Sequence, residues 1–169
     1  RPAGQTVPEP PKPREVLANP PDRDGIAEAV IAAARQEVGR AVLFLVKGKV
    51  MTGWKASGAG LDAANAEKVA VRVEEHGVFR DVVEEKAFYK GPVLKVPQNA
   101  PLIEFLGGEP PIEAVAFPLV IKGKVVGVLY GDNGDRMIAG GARRLEGLMA
   151  KASLSLEILI LKNKILGDT

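Results

Sequence analysis

The chain has 169 residues, 46% of them hydrophobic and 26% charged, with 23 Lys and Arg against 21 Asp and Glu. This length fits one folded domain with a tail, and the nearly balanced charge gives no sign of a nucleic-acid partner. Without cysteine, disulfide frameworks, thiolate metal sites and a cysteine nucleophile are excluded, and the single histidine excludes a multi-histidine metal centre within one chain.

No apolar run is long enough to span a bilayer, and no signal peptide is visible. Because the chain also begins with Arg1 rather than methionine, we expect a piece of a larger cytoplasmic protein.

Residues 1–23 hold seven of the 13 prolines. Proline fixes φ and removes a backbone donor, so we expect an extended linker that tethers the domain to an upstream one. The alternative is a PxxP ligand for an SH3-type groove. The folded domain is expected over 24–166, with a short tail at 167–169.

The domain begins with a predicted helix over 24–38, capped by Asp22 or Asp24. Two strands follow, at 41–47 and 49–56. Their apolar run AVLFLV lacks strict alternation, which indicates strands covered on both faces. The KGKV between them is typical of a tight hairpin turn.

The middle of the chain is predicted to be mostly helical. We expect a helix over 62–76 and a shorter one over 78–86. The stretch PVLKV at 92–96 reads as an edge strand, because prolines flank it. Asn99 is expected to cap a further short helix that ends at Gly107.

A second hairpin, PLVIKGKVVGVLYG, precedes a long predicted helix over 141–166. One apolar stripe of this helix suffices to pack on a sheet, and it consists of Leu145, Leu148, Ala152, Leu156 and Leu159. A second stripe consists of Leu154, Ile158, Leu161 and Ile165. A helix that is apolar nearly all round must also be buried on its other side, so the second stripe predicts a homodimer interface. The alternative is that the first helix and the linker cover it.

This order of elements and three stretches of sequence resemble the GAF domain, a small-ligand sensory module of bacterial signalling proteins. YKGPVLKVPQN (89–99) is similar to the loop and short strand before the family's mid-domain helix. AVAFPLVIKGKVVGVLYGDN (114–133) resembles its final hairpin, and the leucine-rich helix ending in LKNKI is similar to the helix that leads out of such domains. The resemblance covers about 24–166.

The resemblance implies an α/β fold with a central antiparallel sheet of five to six strands, flanked by helices on both faces. It also implies a ligand pocket between one face and the segment that joins the two hairpins, dimerisation through terminal helices, and an attached output domain. The NKxDE-type signature of cyclic-nucleotide-binding members is missing. Without cysteine no bilin can be attached covalently, and one histidine argues against haem, so no cofactor is identified.

Three further motifs have simple structural explanations. GAGLDA (58–63) fits a dinucleotide-binding glycine pattern, but it follows the second arm of a hairpin rather than opening a parallel βαβ unit. GDNGD (131–135) begins like a calcium loop and lacks the glutamate that completes one, so we expect a turn. His76 precedes a glycine at a predicted helix end, where a capping or surface role is expected.

For a ligand pocket, the sequence favours aromatic walls and a few polar anchors from the middle region. The candidate walls are Trp54, Phe79, Tyr89 and Phe105, and the candidate anchors are Lys90, Lys95 and Asn99. The alternative is that Phe79 and Phe105 belong to the ordinary core and that the two lysines are solvated.

Nothing in the sequence supports catalysis, because no serine has a plausible base and the acidic pairs have poor geometry for shared acid–base work. The first hypothesis is therefore a regulatory domain that binds a small ligand and dimerises through its terminal helices. The second is a GAF-like interaction and dimerisation module with no ligand. A roadblock or longin-like dimerising fold is a third possibility.

Overall fold

A computed structural model of the chain describes residues 9–73, 77–140 and 142–167. The helices are α1 (Pro13–Ala18), α2 (Arg23–Ala34), α3 (Arg80–Glu84), α4 (Ala100–Phe105) and α5 (Ala142–Ile165). The strands are β1 (Arg40–Lys47), β2 (Val50–Gly58), β3 (Ala70–Arg72), β4 (Tyr89–Gly91), β5 (Ala114–Ile121) and β6 (Lys124–Asp132). Short 3₁₀ segments lie at Ala63–Lys68 and Pro97–Asn99.

The strands form one antiparallel sheet in the order β3-β2-β1-β6-β5-β4. One face, here called the terminal-helix face, packs against α2 and α5, and α1 packs against these two helices. The other, the loop face, is covered by α3, α4 and the segments that join β2 to β5. The expected antiparallel sheet of five to six strands with helices on both faces is confirmed.

The central strands are apolar on both sides because each face has its own core. In β1, Leu43 points into the terminal-helix core and its neighbour Phe44 into the loop-face core, and both are fully buried. This is the arrangement that the unalternating run AVLFLV predicts. The two hairpins are also where the sequence places them, and Lys122 and Gly123 both have positive φ at the turn of the second.

Between residues 62 and 76, where the sequence predicts a helix, the structure has the 3₁₀ segment Ala63–Lys68 followed by strand β3. The reason is the alternation in VAVRV: Val69, Val71 and Val73 are buried while Ala70 and Arg72 are exposed. Burial that alternates every second residue, together with β-branched valines, favours a strand over a helix. Residues 74–76 of the predicted helix, including His76, lie outside the described residues.

The predicted edge strand is shifted along the chain. The sequence places it at 92–96, whereas the structure has β4 at Tyr89–Gly91, paired with β5 at one edge of the sheet. Pro92 has no N–H to donate to a strand ladder, so the pairing stops at the residue before it.

The proline-rich segment is not extended throughout. Within 1–23, residues Pro13–Ala18 form α1, and Leu17 of that helix is buried in the terminal-helix core with an exposure of 5%. Proline is well tolerated at the first position of a helix, so Pro13 starts α1 rather than preventing it. Asp22 then caps α2, because its Oδ1 accepts a hydrogen bond from Gly25 N at 2.6 Å.

The long helix α5 has the two stripes that the sequence predicts. The residues of the first stripe are buried against the sheet except for Leu148, which is partly buried. The second stripe points away from the core and is exposed. None of the helices in the described ranges is long and apolar enough to cross a membrane.

Candidate functional site

The sheet separates the predicted pocket residues into two groups. Trp54 lies on the terminal-helix face. The partly or fully buried aromatic side chains of the group, Phe79, Tyr89 and Phe105, belong to the loop face. A single pocket therefore cannot contain all of them.

Phe79 occupies the centre of the loop-face core. Its ring centroid lies 5.5 Å from that of Phe44 and 6.2 Å from that of Tyr130, and its side chain is 2% exposed. Tilted and edge-on aromatic contacts of this kind stabilise a packed core. The aromatic rings of Phe44, Phe79 and Tyr130 therefore fill the space between the sheet and the loops that cover it.

Asn99 is buried and its polar atoms are engaged within the chain. Its Oδ1 accepts a hydrogen bond from Val78 N at 3.0 Å, and its Nδ2 donates to Leu94 O at 2.9 Å. Although Asn99 stands at the position before α4, its side chain makes no capping hydrogen bond there. It joins the segments before α3 and after β4 instead.

Tyr89, Lys90 and Lys95 lie near the β4 edge of the sheet. The Tyr89 hydroxyl donates to Pro92 O, and partial burial raises the pKa of Tyr89 above its ordinary value. Lys90 is exposed. Lys95 Nζ lies 3.9 Å from Glu109 Oε2, and both side chains are exposed, so this ion pair contributes little.

Phe105 borders a shallow cleft of about 520 Å³ between α4 and the 3₁₀ segment Ala63–Lys68. Lys68, Asn65 and Glu104 also line this cleft. Of the predicted pocket residues, Phe105 alone is among those that line it.

A buried polar cluster on the sheet combines residues that are far apart in the sequence. Arg40 Nε donates to Asp132 Oδ1 at 2.7 Å, Tyr130 OH donates to Asp132 Oδ2, and Gly134 N donates to Asp132 Oδ1 at 2.8 Å. Arg40 also donates to Leu106 O at 2.8 Å. Asp132 is completely buried, and these donors satisfy its carboxylate.

Burial raises the pKa of Tyr130 well above its ordinary value. The negative charge of Asp132 and the hydrogen bond to it act in the same direction, and the positive charge of Arg40 opposes them. The cluster is thus a structural element that keeps Tyr130 protonated. Sequence reasoning missed it, because nothing in the pattern pairs residue 40 with residue 132.

Trp54 borders a cleft on the terminal-helix face. Leu43 pairs with Lys55 and Phe44 with Gly53, which leaves Trp54 as the extra residue of a β-bulge. Its Nε1 donates to Asp24 Oδ1 at 3.2 Å, and Arg23 Cζ lies 5.5 Å from the ring centroid. Two adjoining cavities of about 650 and 380 Å³ meet at Trp54.

The second stripe of α5 is an exposed apolar surface. Leu154 is 60% exposed, Ile158 39%, Leu161 57% and Ile165 82%. Contiguous apolar surface of this kind commonly marks an interaction site.

The two glycine-containing motifs form a turn and a loop in the structure. In GDNGD, Asp132 belongs to the buried cluster and Asn133 Oδ1 accepts from Gly39 N at 2.7 Å, so the motif forms a turn. In GAGLDA, Gly58 and Gly60 have positive φ in a loop. Across the described ranges, no cluster of three or more His, Asp or Glu side chains is arranged to hold a metal ion.

Comparison with known proteins finds similarity in structure only. No protein-family model and no curated protein matches the chain. The solved segment of a methyl-accepting chemotaxis protein, its residues 122 to 287, is similar over 88% of this chain and 96% of that segment, with a TM-score of 0.71 and 16% identity.

Two solved GAF domains are similar as well. The GAF domain of an Acinetobacter phosphoenolpyruvate-protein phosphotransferase matches over 93% of both chains with a TM-score of 0.65 and 14% identity. The GAF domain of a two-component sensor histidine kinase from Bacillus halodurans matches over 84% of this chain and 98% of its own, with a TM-score of 0.62 and 15% identity.

Proposed function

We propose that this chain, which has the fold of GAF domains, is a non-catalytic regulatory domain of a larger bacterial signalling protein and acts as a homodimer. Its structural neighbours come from a chemotaxis protein, a phosphotransferase and a sensor histidine kinase. By analogy with them, the domain controls an attached output domain in the cytoplasm.

The exposed stripe of α5 is the observation that supports the dimer. Leu154, Ile158, Leu161 and Ile165 are spaced by four, three and four residues, which is the heptad spacing of a coiled-coil seam. The buried stripe already packs α5 against the sheet, so the fold of a single chain does not require the exposed stripe.

The residue types within the seam favour a parallel pair. If Leu154 and Leu161 take the d positions, then Ile158 and Ile165 take the a positions. Isoleucine at a with leucine at d favours two parallel strands. Glu157 and Lys162 flank the seam at positions g and e, and Lys162 Nζ donates to Asn19 Oδ1 of its own chain at 2.6 Å. Both α5 helices then leave the dimer in the same direction, towards an output domain.

Small-ligand binding on the loop face has weaker support than pairing through α5. Phe79 is buried in the core, and the side chain of Asn99 forms hydrogen bonds that join two loops. The cleft beside Phe105 is shallow. The geometry therefore favours the interaction and dimerisation module over a sensor with its pocket on that face.

The test is the double substitution Ile158→Glu with Leu161→Glu. Four like charges at the centre of the seam would repel one another, so we expect a dimer to become a soluble monomer. Multi-angle light scattering over a range of concentrations measures the mass.

Leu94→Glu is the matched control, because Leu94 is 59% exposed and lies outside α5. It should leave the mass of the dimer unchanged. A double variant that keeps the mass of the parent protein would contradict pairing through α5, as would a parent protein that is monomeric at all concentrations.

A further inference from the structure

The structure contains an apolar cavity of about 380 Å³ on the terminal-helix face, at the hairpin end of the sheet. It lies between α5 and the ends of β1, β5 and β6, on the side of the sheet opposite the loop face. Its apolar wall includes Leu45, Trp54, Leu119, Val126, Leu156 and Leu159. A volume of this size and a mostly apolar lining with a few polar groups are typical of small-molecule sites.

The charged groups at this cavity are cations. Arg23 and Lys47 line it together with the amide of Asn163, and no Asp or Glu of the described ranges does. Within the described part of the chain, neither Arg23 nor Lys47 forms an ion pair. Two cations beside an apolar wall match an amphiphile that carries a negative head group.

Carboxylates line the adjoining cavity of about 650 Å³, which shares Arg23, Trp54 and Asn163 with this one. They belong to Asp22, Asp24 and Glu67. Asp22 is engaged as the cap of α2, and Asp24 accepts the indole hydrogen bond of Trp54. Two of the three neighbouring carboxylates thus already accept hydrogen bonds within the chain.

We propose that this cavity, here called the Trp54 cavity, binds a small amphiphilic carboxylate. The alkyl or aryl part packs against Trp54, Val126 and Leu159, and the carboxylate lies at the mouth near Arg23 and Lys47. The Trp54 cavity shares α5 with the dimer seam but none of the seam's residues. The proposal is therefore independent of whether α5 pairs.

The protein carries its own reporter for this site, because Trp54 is its sole tryptophan. Titration of the full chain with octanoate, followed by Trp54 fluorescence and by calorimetry, measures binding directly. We expect a saturable fluorescence change, with octanoate bound about five-fold more tightly than octanol of the same chain length. Octylamine should bind more weakly than either, since its ammonium group meets the two cations.

Two variants test the location. Lys47→Ala should weaken octanoate binding about three-fold, whereas Lys49→Ala, on the same hairpin turn but outside the cavity lining, should leave it unchanged. Val126→Phe puts a larger side chain into the cavity and should reduce octanoate affinity more than ten-fold. Circular dichroism shows whether that variant is folded. If it is not, the Lys47 and Lys49 pair alone decides the location.

Four results would overturn the proposal. The first is no heat and no fluorescence change up to millimolar octanoate. The second is octanol or octylamine binding as tightly as octanoate. The third is equal octanoate binding by Lys47→Ala and the parent protein. The last is unweakened binding by a folded Val126→Phe variant.

Discussion

Asn99 shows how one buried amide can join two segments that lack regular structure. Its side chain satisfies the N–H of Val78 and the carbonyl of Leu94, and it is 2% exposed. Sequence reasoning assigns this residue to helix capping or to ligand binding, because asparagine is typical of both. The structure decides between these roles, because the N–H of Val78 and the carbonyl of Leu94 are the backbone groups that need a partner near Asn99.

Asn99→Ala should destabilise the fold by about 1–3 kcal/mol, because it leaves two backbone groups without their partner, the N–H of Val78 and the carbonyl of Leu94. The free energy of unfolding from urea denaturation measures the loss. Asn163→Ala, at an exposed position of α5, is the matched control and should change stability by less than about 0.5 kcal/mol. Equal stability of the two variants would show that the Asn99 hydrogen bonds contribute nothing.

Tyr130 makes the fold sensitive to alkaline pH. Its pKa is raised in the folded state, so the folded protein holds this proton more tightly than the unfolded chain does. The resulting stability is fully present below the unfolded pKa of about 10 and is lost as the pH rises above it. The expected result is a urea midpoint that falls as the pH rises above about 10.

Tyr130→Phe should flatten that alkaline decline, although the variant is less stable at neutral pH because Asp132 loses a donor. Tyr89→Phe is the comparison, since Tyr89 is less buried and should leave most of the decline in place. A decline of the same steepness in Tyr130→Phe and the parent protein would contradict the assignment to Tyr130.

At the scale of elements, glycine positions decide how closely segments pack. A Cβ built on Gly53 would lie 2.1 Å from Ala66 O, so β2 and the 3₁₀ segment Ala63–Lys68 approach each other as only glycine allows. A Cβ on Gly147 of α5 would meet open space. The same substitution should therefore have opposite effects at these two sites.

Gly53→Ala should destabilise the protein by about 1–3 kcal/mol, because the backbone around Ala66 must move. Gly147→Ala should stabilise it by about 0.5–1 kcal/mol, since alanine is the better helix former. Thermal unfolding of both variants tests this, with melting temperatures expected to shift in opposite directions. A Gly53→Ala variant as stable as the parent would show that the close approach is absent.

Helices and strands that depend on short stretches of sequence are easier to predict than those that depend on distant partners. The hairpins, α2 and α5 depend on short-range patterns, and the sequence places them, although α2 ends at Ala34 rather than at 38. Of the two candidate caps, Asp22 is the one that caps α2. Strand β3 was missed because its period-two signal, VAVRV, is only five residues long and directly follows the helix-favouring residues of AEK, while its pairing partner β2 lies about 20 residues earlier. Helix α1 was missed because the many prolines of residues 1–23 indicated an extended chain. In the structure, Leu17 packs into the terminal-helix core and stabilises α1.

At the scale of the whole molecule, the order of the elements was sufficient to identify the fold, but the site was not predictable in the same way. The sequence could select aromatic and polar residues. It could not show that the central sheet puts Trp54 on one face and Phe79, Tyr89 and Phe105 on the other. The β-bulge at Trp54 shifts side-chain alternation locally, which a simple period-two count does not detect.

The exposed stripe of α5 was predictable, because a second heptad-spaced row on a helix that already has a buried row is visible in the sequence. Its partner is the central claim of the proposed function. A parallel pair brings each seam residue next to the same residue of the other copy, whereas an antiparallel pair or a monomer does not.

The most direct test uses the absence of native cysteine. Leu161→Cys introduces a single thiol at a d position, and Leu94→Cys introduces one at an exposed site outside α5 as control. After mild oxidation of dilute protein, non-reducing electrophoresis should show Leu161→Cys as a disulfide-linked dimer and Leu94→Cys as a monomer. If Leu161→Cys remains monomeric like the control, parallel pairing through α5 is contradicted.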